Sequence, residues 1–229
     1  MDDEIERPLP GGRVTEGVVR IGDTVRRPWG PRAGFVERLL SHLDRIGFGA
    51  APRHLGVDEH GRDILEYVEG HVPMECGGIT WTDTQLTSCM TLLRRFHDAT
   101  AGTELAGVAE VVCHGDFGPW NLVWIDDRPV SIIDFDNASP GWRLDDVGYA
   151  VWKHLNLGLL PLDAHEQARR IRVAATAYEI EAAADIVAAI DRAQQRMDDA
   201  YPGLAQLRKE RAWLRANAAA LRSLTTDGD

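Results

Sequence analysis

The stretch CHGDFGPWN at residues 113–121, followed by IIDFD at residues 132–136, decides how this chain is to be understood. It places Asp116 five residues before Asn121, and Asn121 thirteen residues before Asp134. Short apolar runs lead into the polar residues of both segments: VV precedes Cys113, and VSII precedes Asp134. The pattern predicts two polar loops that each follow a buried strand, so that the three side chains can meet in one cleft.

These three side chains suit phosphoryl transfer to a hydroxyl group. A carboxylate beside an acceptor hydroxyl can orient it and accept its proton, which predicts this catalytic role for Asp116. Mg²⁺ binds through a few protein oxygens together with substrate phosphates, which predicts that Asn121 and Asp134 hold the metal. His114 is expected to be structural, bonding to the backbone and fixing the loop.

Composition narrows the class of protein. The 229 residues carry 25 basic and 36 acidic side chains, a net charge of −11, which argues against a nucleic-acid partner. The three cysteines form no CxxC pair and favour a reducing cytoplasm. No apolar run approaches the ~18 residues of a membrane span, and the acidic start predicts no signal peptide.

Hydrophobic periodicity predicts an α+β chain in two parts. Residues 1–70 form a small β-rich lobe, with a hairpin that turns at Gly22-Asp23, a helix over 32–46 and two further strands. Residues 71–229 form a larger, mostly helical lobe that carries the catalytic strands. Its predicted helices run over 83–99, 145–157, 163–179, 181–200 and 204–223. A cleft between the lobes is the expected ligand site.

The two catalytic segments resemble the aminoglycoside phosphotransferase family of small-molecule kinases. Three other stretches are similar to it: LLRRFHDAT at 92–100, ILEYVEG at 64–70 and RLDDVGYA at 143–150. The resemblance runs from about residue 11 to 155. It implies a two-lobed protein-kinase-like fold, ATP or GTP with Mg²⁺ as cofactors, and a hydroxylated small molecule as the acceptor.

Carried over residue by residue, the resemblance makes Asp116 the catalytic base and Asn121 and Asp134 the metal ligands. It implies that backbone groups around Glu66 and Val68 face the nucleotide base, and that Asp146 is a structural anchor, a role that an ordinary helix N-cap also fits.

The residues expected to bind the nucleotide differ from the pattern of the family. The glycine-containing loop around Gly12 is short. Such kinases place a Lys on the third strand to hold the phosphates, whereas this chain has Arg26 and Arg27 there, with Arg26 slightly favoured to face the nucleotide. Glu37 is the expected partner on the following helix.

The sequence does not identify the acceptor molecule, although an aminoglycoside-like or other cationic compound fits the family. The candidate contacts with such an acceptor are Asp163, Glu166, Glu179, Glu181 and Asp185. Three tryptophans, Trp120, Trp124 and Trp142, are candidates for the pocket wall.

Two rival functions remain open. One is a nucleotide-binding, non-catalytic kinase homologue, suggested by the missing Lys. The other is a metal-dependent phosphohydrolase that uses His114, Asp116 and Asp134.

Overall fold

The computed structural model describes residues 5–9, 17–73 and 79–226. The smaller part has a five-stranded antiparallel sheet and one helix. Its elements are β1 (Arg7–Pro8), β2 (Val19–Ile21), β3 (Thr24–Pro28), α1 (Ala33–Arg45), β4 (His54–Val57) and β5 (Arg62–Glu66). The spatial order of the strands is β1-β2-β3-β5-β4. The predicted hairpin is confirmed, because Ile21 pairs with Thr24 and Gly22 takes a φ of 56° in the turn.

The larger part begins with a long helix and a set of short strands. These are α2 (Asp83–Thr100), β6 (Val111–Cys113), β7 (Leu122–Ile125), β8 (Arg128–Ile132) and β9 (Ser139–Gly141). Four more helices follow: α3 (Arg143–Leu155), α4 (Ala164–Tyr178), α5 (Ala183–Ala200) and α6 (Ala205–Thr226). The α+β composition and the helical second half are therefore confirmed. None of the helices in the described part of the chain has the length and apolar character needed to cross a bilayer.

Local sequence signals explain the start of α2. The Thr82 hydroxyl accepts a hydrogen bond from the Gln85 backbone N–H at 3.2 Å, and the Gln85 side chain accepts one from the Thr82 N–H at 2.9 Å. This reciprocal pair satisfies two backbone donors that the first turn leaves free. Thr82 is therefore the N-cap of α2.

Strand β9 was not predicted, and neither was β1. The sequence of β9, SPG, has low strand propensity, and the segment becomes a strand because it pairs with β6 from Cys113↔Ser139 to Val111↔Gly141. The pairing brings the chain that follows the second catalytic segment alongside the strand that leads into the first.

Packing joins the two parts of the chain. The buried face of α1, including Leu39, Leu40 and Leu43, lies in the same hydrophobic core as α2 to α6. The connecting chain is attached to β7, where His71 and Trp124 exchange backbone hydrogen bonds of 2.9 and 2.8 Å. The division into lobes at residue 70 stays a prediction.

Candidate active site

The first catalytic segment is attached from behind to a buried carboxylate. Asp146 on α3 accepts hydrogen bonds from the backbone N–H groups of His114 at 2.7 Å and Gly115 at 3.0 Å, and it also bonds to His97 Nε2 at 3.0 Å. Burial opposes ionisation of Asp146, but the bonds to His97 and the catalytic loop lower its pKa below the usual range. Asp146 therefore anchors the loop as a carboxylate.

The sequence prediction for Asp146 was right about anchoring and wrong about capping. The N-cap of α3 is Trp142, and Asp146 lies within the first turn of the helix. Its two partners in the catalytic loop, Gly115 and His114, are 31 and 32 residues away along the chain, a distance at which sequence spacing alone gives no signal.

Glycine is required at position 115. Gly115 has a φ of 78°, and a Cβ there would lie 2.6 Å from the Asn137 backbone oxygen. A larger residue would have to push the two catalytic segments apart.

His114 is fully buried and uses both ring nitrogens in the loop. Its Nε2 lies 3.0 Å from the Ile133 carbonyl oxygen, which can only accept, so Nε2 carries a proton. Its Nδ1 then accepts from the Asp116 backbone N–H at 3.3 Å. His114 thus links the two segments, which confirms the expectation that it is structural. It has no ring nitrogen left to bind a metal for a phosphohydrolase reaction.

The side chain of Asp116 is held on both carboxylate oxygens. Asn121 Nδ2 donates to Asp116 Oδ2 at 3.0 Å and to its backbone oxygen at 2.9 Å, and Trp120 Nε1 lies 3.4 Å from Oδ2. Tyr149 on α3 donates its hydroxyl proton to Oδ1. Asp116 remains partly exposed, so an incoming hydroxyl can reach a carboxylate that already has a defined orientation.

Tyr149 was missed by sequence reasoning. It follows Asp146 by three residues on α3, which puts both side chains on the face of the helix that meets the catalytic loop. That helical spacing is the signal that could have found it. Burial and the neighbouring Asp116 charge raise the pKa of Tyr149 well above its usual value, so it stays a proton donor.

Strand register brings Asn121 next to Asp134. Leu122 pairs with Ile132 where β7 meets β8, and the Ile133 N–H donates to the Asn121 backbone oxygen at 2.9 Å. Because its amide nitrogen is bonded to Asp116, Asn121 has its amide oxygen available for a metal. The predicted convergence of the two segments is therefore present in the backbone.

Asp134 sits at a bend of the backbone, with φ 61° and ψ 64° in the left-handed region. Its side chain keeps 49% of its surface exposed, and Arg27 Nη2 lies 3.6 Å from Oδ1. Burial raises the pKa of Asp134, with Arg27 opposing this and Asp136 adding to it. A carboxylate and an amide oxygen at one edge of a cleft form a donor set that suits Mg²⁺.

Arg27, and not Arg26, reaches the metal-ligand candidates. Arg27 forms ion pairs with Asp134 and Asp136, and its side chain is 12% exposed. Arg26 instead lies 3.6 Å from Asp58, because neighbouring residues on a strand point to opposite faces of the sheet. The preference for Arg26 is thus corrected.

Glu37 does not fill the predicted role either. In the described residues, the ion pairs of Arg27 are those with Asp134 and Asp136, and Glu37 forms none with it. The second catalytic segment supplies the carboxylates that α1 was expected to supply.

The proposed nucleotide-base segment follows β5. The backbone N–H of Glu66 donates to Arg53 at 2.9 Å, and that of Tyr67 donates to Asp23 at 2.9 Å. In the described part of the chain, the backbone N–H and C=O of Val68 have no hydrogen-bond partner. Gly12, the remaining candidate on this side, lies outside the described residues.

Three of the five acidic residues expected to bind a cationic acceptor have other partners, whereas Glu181 and Asp185 form no ion pair with the described residues. Asp163 caps α4 by accepting from the Glu166 N–H at 2.9 Å, Glu166 pairs with Arg169, and Glu179 pairs with Arg94 at 3.0 Å. Of the three tryptophans, Trp120 contacts Asp116, whereas Trp124 stacks on Trp81 in the core. Trp142 is 57% exposed.

Comparison with known proteins confirms the resemblance. Residues 93–180, which include both catalytic segments and all of α3 and α4, match the model of the phosphotransferase enzyme family. A relative in Rhizobium leguminosarum bv. trifolii, the trifolitoxin immunity protein, is 35% identical over 163 residues. That match covers 64% of this chain and 60% of the relative, so the chain spans less than two thirds of the relative's length.

Solved structures confirm the protein-kinase-like fold. The gentamicin complex of aminoglycoside phosphotransferase APH(2'')-IIa has a TM-score of 0.61 at 10% identity, with 99% of this chain and 92% of that one covered. The GDP complex of an aminoglycoside 2'-phosphotransferase-IIIa variant has a TM-score of 0.56 at 14% identity, covering 98% and 92%. An ethanolamine kinase from Plasmodium vivax has a TM-score of 0.52 at 10% identity, covering 90% and 80%.

Proposed function

We propose that this chain, which shares the fold of the aminoglycoside phosphotransferases and matches their family model over residues 93–180, is a small-molecule kinase that phosphorylates a hydroxyl group. The observation that carries the proposal is the double attachment of Asp116. Tyr149 and Asn121 hold one carboxylate oxygen each, at the end of a loop that Asp146 fixes from behind. Such preorganisation is what a positioned base requires.

The reaction follows from these positions. The acceptor oxygen bonds to the γ-phosphorus of the nucleotide, and the bond from that phosphorus to the bridging oxygen breaks. The proton of the acceptor hydroxyl passes to the carboxylate of Asp116. Asn121 and Asp134 would hold Mg²⁺, which when bound neutralises charge on the phosphates. Arg27 would contact the phosphates beside it.

The nucleotide is ATP or GTP in this proposal. Solved relatives of the same fold include an ATP complex, an ADP complex and a GDP complex. The unpaired backbone groups of Val68 support the segment after β5 as the place where the base binds. Cytoplasmic location and the absence of a nucleic-acid partner stay predictions from composition.

Replacement of Asp116 tests the catalytic role. Asp116→Ala should lower turnover by ~10²–10⁴, the usual contribution of a positioned base, and leave nucleotide binding in place. Turnover is measured as nucleotide consumption with Mg²⁺, first with water and then with hydroxylated compounds found by thermal shift. Glu104→Ala, on an exposed loop, is the control. Equal turnover in the two variants would remove Asp116 from the mechanism.

The metal role needs a separate measurement. Asn121→Ala and Asp134→Ala should both weaken Mg²⁺-dependent nucleotide binding in isothermal titration. Wild-type affinity in both variants would exclude these residues as ligands.

A second candidate is a kinase homologue that binds nucleotide without transferring phosphate. It is favoured by Arg27, which stands where the family has Lys and which pairs with both Asp134 and Asp136. Tight binding of ATP with Mg²⁺ and no turnover on any acceptor would support it. Because the Rhizobium relative is named as an immunity protein, trifolitoxin belongs among the acceptors to be tried.

A further inference from the structure

A second cation, Lys153, lies close enough to Asp116 for that carboxylate to affect its pKa. Lys153 follows Tyr149 by one turn of α3, and its ammonium lies 5.6 Å from the centroid of the Tyr149 ring. The same ammonium lies 3.4 Å from the ring of Trp152. Since the Tyr149 hydroxyl bonds directly to Asp116, Lys153 belongs to the surroundings of the catalytic carboxylate.

The ammonium of Lys153 has no ion pair or hydrogen bond with the described residues. Burial lowers the pKa of Lys153, while the charges of Glu210 and Asp116 oppose that shift. Glu210, on α6, is 3% exposed, accepts from Gln206 at 3.0 Å and lies close enough to Lys153 for each charge to shift the pKa of the other, although the two form no ion pair. The ring contacts leave the three N–H donors of Lys153 without a strong acceptor.

This arrangement differs from the acidic pocket that a cationic acceptor requires. Asp163, Glu166 and Glu179 are engaged in caps and ion pairs, as described above. A positive charge stands instead beside Tyr149, the residue that bonds to Asp116, where it would repel an ammonium group on the acceptor and attract anionic oxygens.

We propose that Lys153 binds an anionic group of the acceptor, so that the substrate is a hydroxylated small molecule with a carboxylate or phosphate near the reacting hydroxyl. This proposal rests on the proposed kinase function and replaces the expectation of a cationic acceptor. In this proposal Lys153 determines which acceptor binds, and Asp116 accepts the proton of the reacting hydroxyl. Trp152 and Tyr149 hold the ammonium in place by its contacts with their rings.

The composition of the chain permits a direct measurement. It has two lysines, Lys153 and Lys209, and Lys209 is exposed on α6. Protein labelled with ¹³C,¹⁵N-lysine therefore shows two sets of side-chain NMR signals, which Lys153→Arg and Lys209→Arg assign. Lys209 then serves as an internal control for non-specific effects of added ions.

The probes are four related six-carbon compounds: glucose, gluconate, glucose 6-phosphate and glucosamine. Each is added to the nucleotide-free protein at the same concentration and ionic strength. Gluconate, glucose 6-phosphate or both should shift the Lys153 signal at concentrations where glucose and glucosamine do not, with Lys209 unchanged. A response to gluconate alone identifies a carboxylate, and a response to glucose 6-phosphate alone identifies a phosphate.

Variants of Lys153 test whether the ammonium group is responsible for the affinity for the anion. Lys153→Met should weaken binding of the responding anion by ~10–100-fold, as expected for loss of a charged hydrogen bond, whereas Lys153→Arg should retain most of it. Equal shifts with glucose or glucosamine, or no shift with either anion, would overturn the proposal. So would a Lys153 response to Mg²⁺-ATP alone, which would assign the ammonium to the nucleotide.

The experiment separates this proposal from the kinase function on which it rests. Anion binding at Lys153 is read without nucleotide, whereas the kinase function is read from turnover in Asp116→Ala. Binding with no loss of turnover in that variant would reject the catalytic assignment alone.

Discussion

The back and the front of the catalytic loop are built in different ways. Behind the loop, Asp146 and His97 are buried and satisfy each other and the loop backbone. In front, Arg27 bonds to Asp134 and Asp136, whose side chains remain 49% and 43% exposed. The back determines where Asp116 stands, whereas the front consists of charges that a nucleotide and a metal can rearrange. Substitutions behind the loop should therefore affect folding, and substitutions in front should affect binding.

The largest effect on stability is expected at Asp146. Asp146→Ala leaves His97 and the backbone N–H groups of His114 and Gly115 without their shared acceptor, which should lower the free energy of unfolding by about 3–5 kcal/mol. Urea denaturation measures the change. The matched control is Asp145→Ala, which removes surface ion pairs with Arg192 and Arg196 and should cost within about 0.5 kcal/mol. A small loss at Asp146 would mean that the loop is held by other groups.

His154, also behind the loop, should make stability depend on pH. Its Nδ1 donates to the Ala150 oxygen at 2.8 Å, its Nε2 is buried without a partner, and burial lowers its pKa from 6.5 to about 4. Between these two pH values the unfolded chain binds the proton and the folded chain does not, so stability falls as the pH falls from 6.5 towards 4. The shift corresponds to about 3 kcal/mol.

Replacement of His154 checks this. His154→Leu should flatten the pH dependence of the unfolding free energy between pH 6.5 and 4, while the exposed His60→Gln should leave it unchanged. An unchanged slope in His154→Leu would show that other groups titrate in that interval.

In front of the loop, Arg27 and Arg26 form a matched pair on one strand. Arg27→Ala should weaken binding of Mg²⁺-ATP by ~10–100-fold, because a charged hydrogen bond contributes about 1.5–3 kcal/mol. Arg26→Ala, whose side chain meets Asp58 on the other face, should bind nearly as the wild type does. Isothermal titration compares them. Tighter binding in Arg27→Ala would show that Arg27 blocks the metal site, which favours the non-catalytic alternative.

The smallest effect is expected at Tyr149, where the back of the loop meets the reacting group. Tyr149→Phe removes a donor to Asp116 Oδ1 and keeps the packing, so kcat should fall by about tenfold with nucleotide affinity unchanged. Tyr201→Phe is the control, since Tyr201 is 61% exposed. A change in KM for nucleotide without a change in kcat would contradict a role in holding the base.

Asp116, Asn121 and Asp134 could be found from sequence because their relation is local. A five-residue spacing around a glycine and a proline, followed by a strand pair, brings the two segments side by side, and Asp146 and Tyr149 then fix the position of Asp116. Asp146 was also noticed as a structural anchor, but the loop groups that it holds lie on a distant segment and could not be named from sequence spacing.

The positions of Arg27, Lys153 and Tyr149 relative to Asp116 could not be predicted from the sequence, because they depend on tertiary packing. Strand alternation predicts that Arg26 and Arg27 face opposite ways, but it takes the packing of the sheet against the second catalytic segment to show that Arg27 is the one that meets Asp134 and Asp136. Tyr149 bonds to Asp116, and Lys153 lies beside the Tyr149 ring, because α3 packs against the catalytic loop.

The sequence by itself thus determined the α+β class and singled out the two segments whose residues are proposed to move a proton and hold a metal, since these follow from periodicity and short spacings. The tertiary structure alone decided which arginine meets the carboxylates and what holds Asp116 in place. Those relations join residues far apart in the chain, and their distances are set by how the helices and the sheet pack.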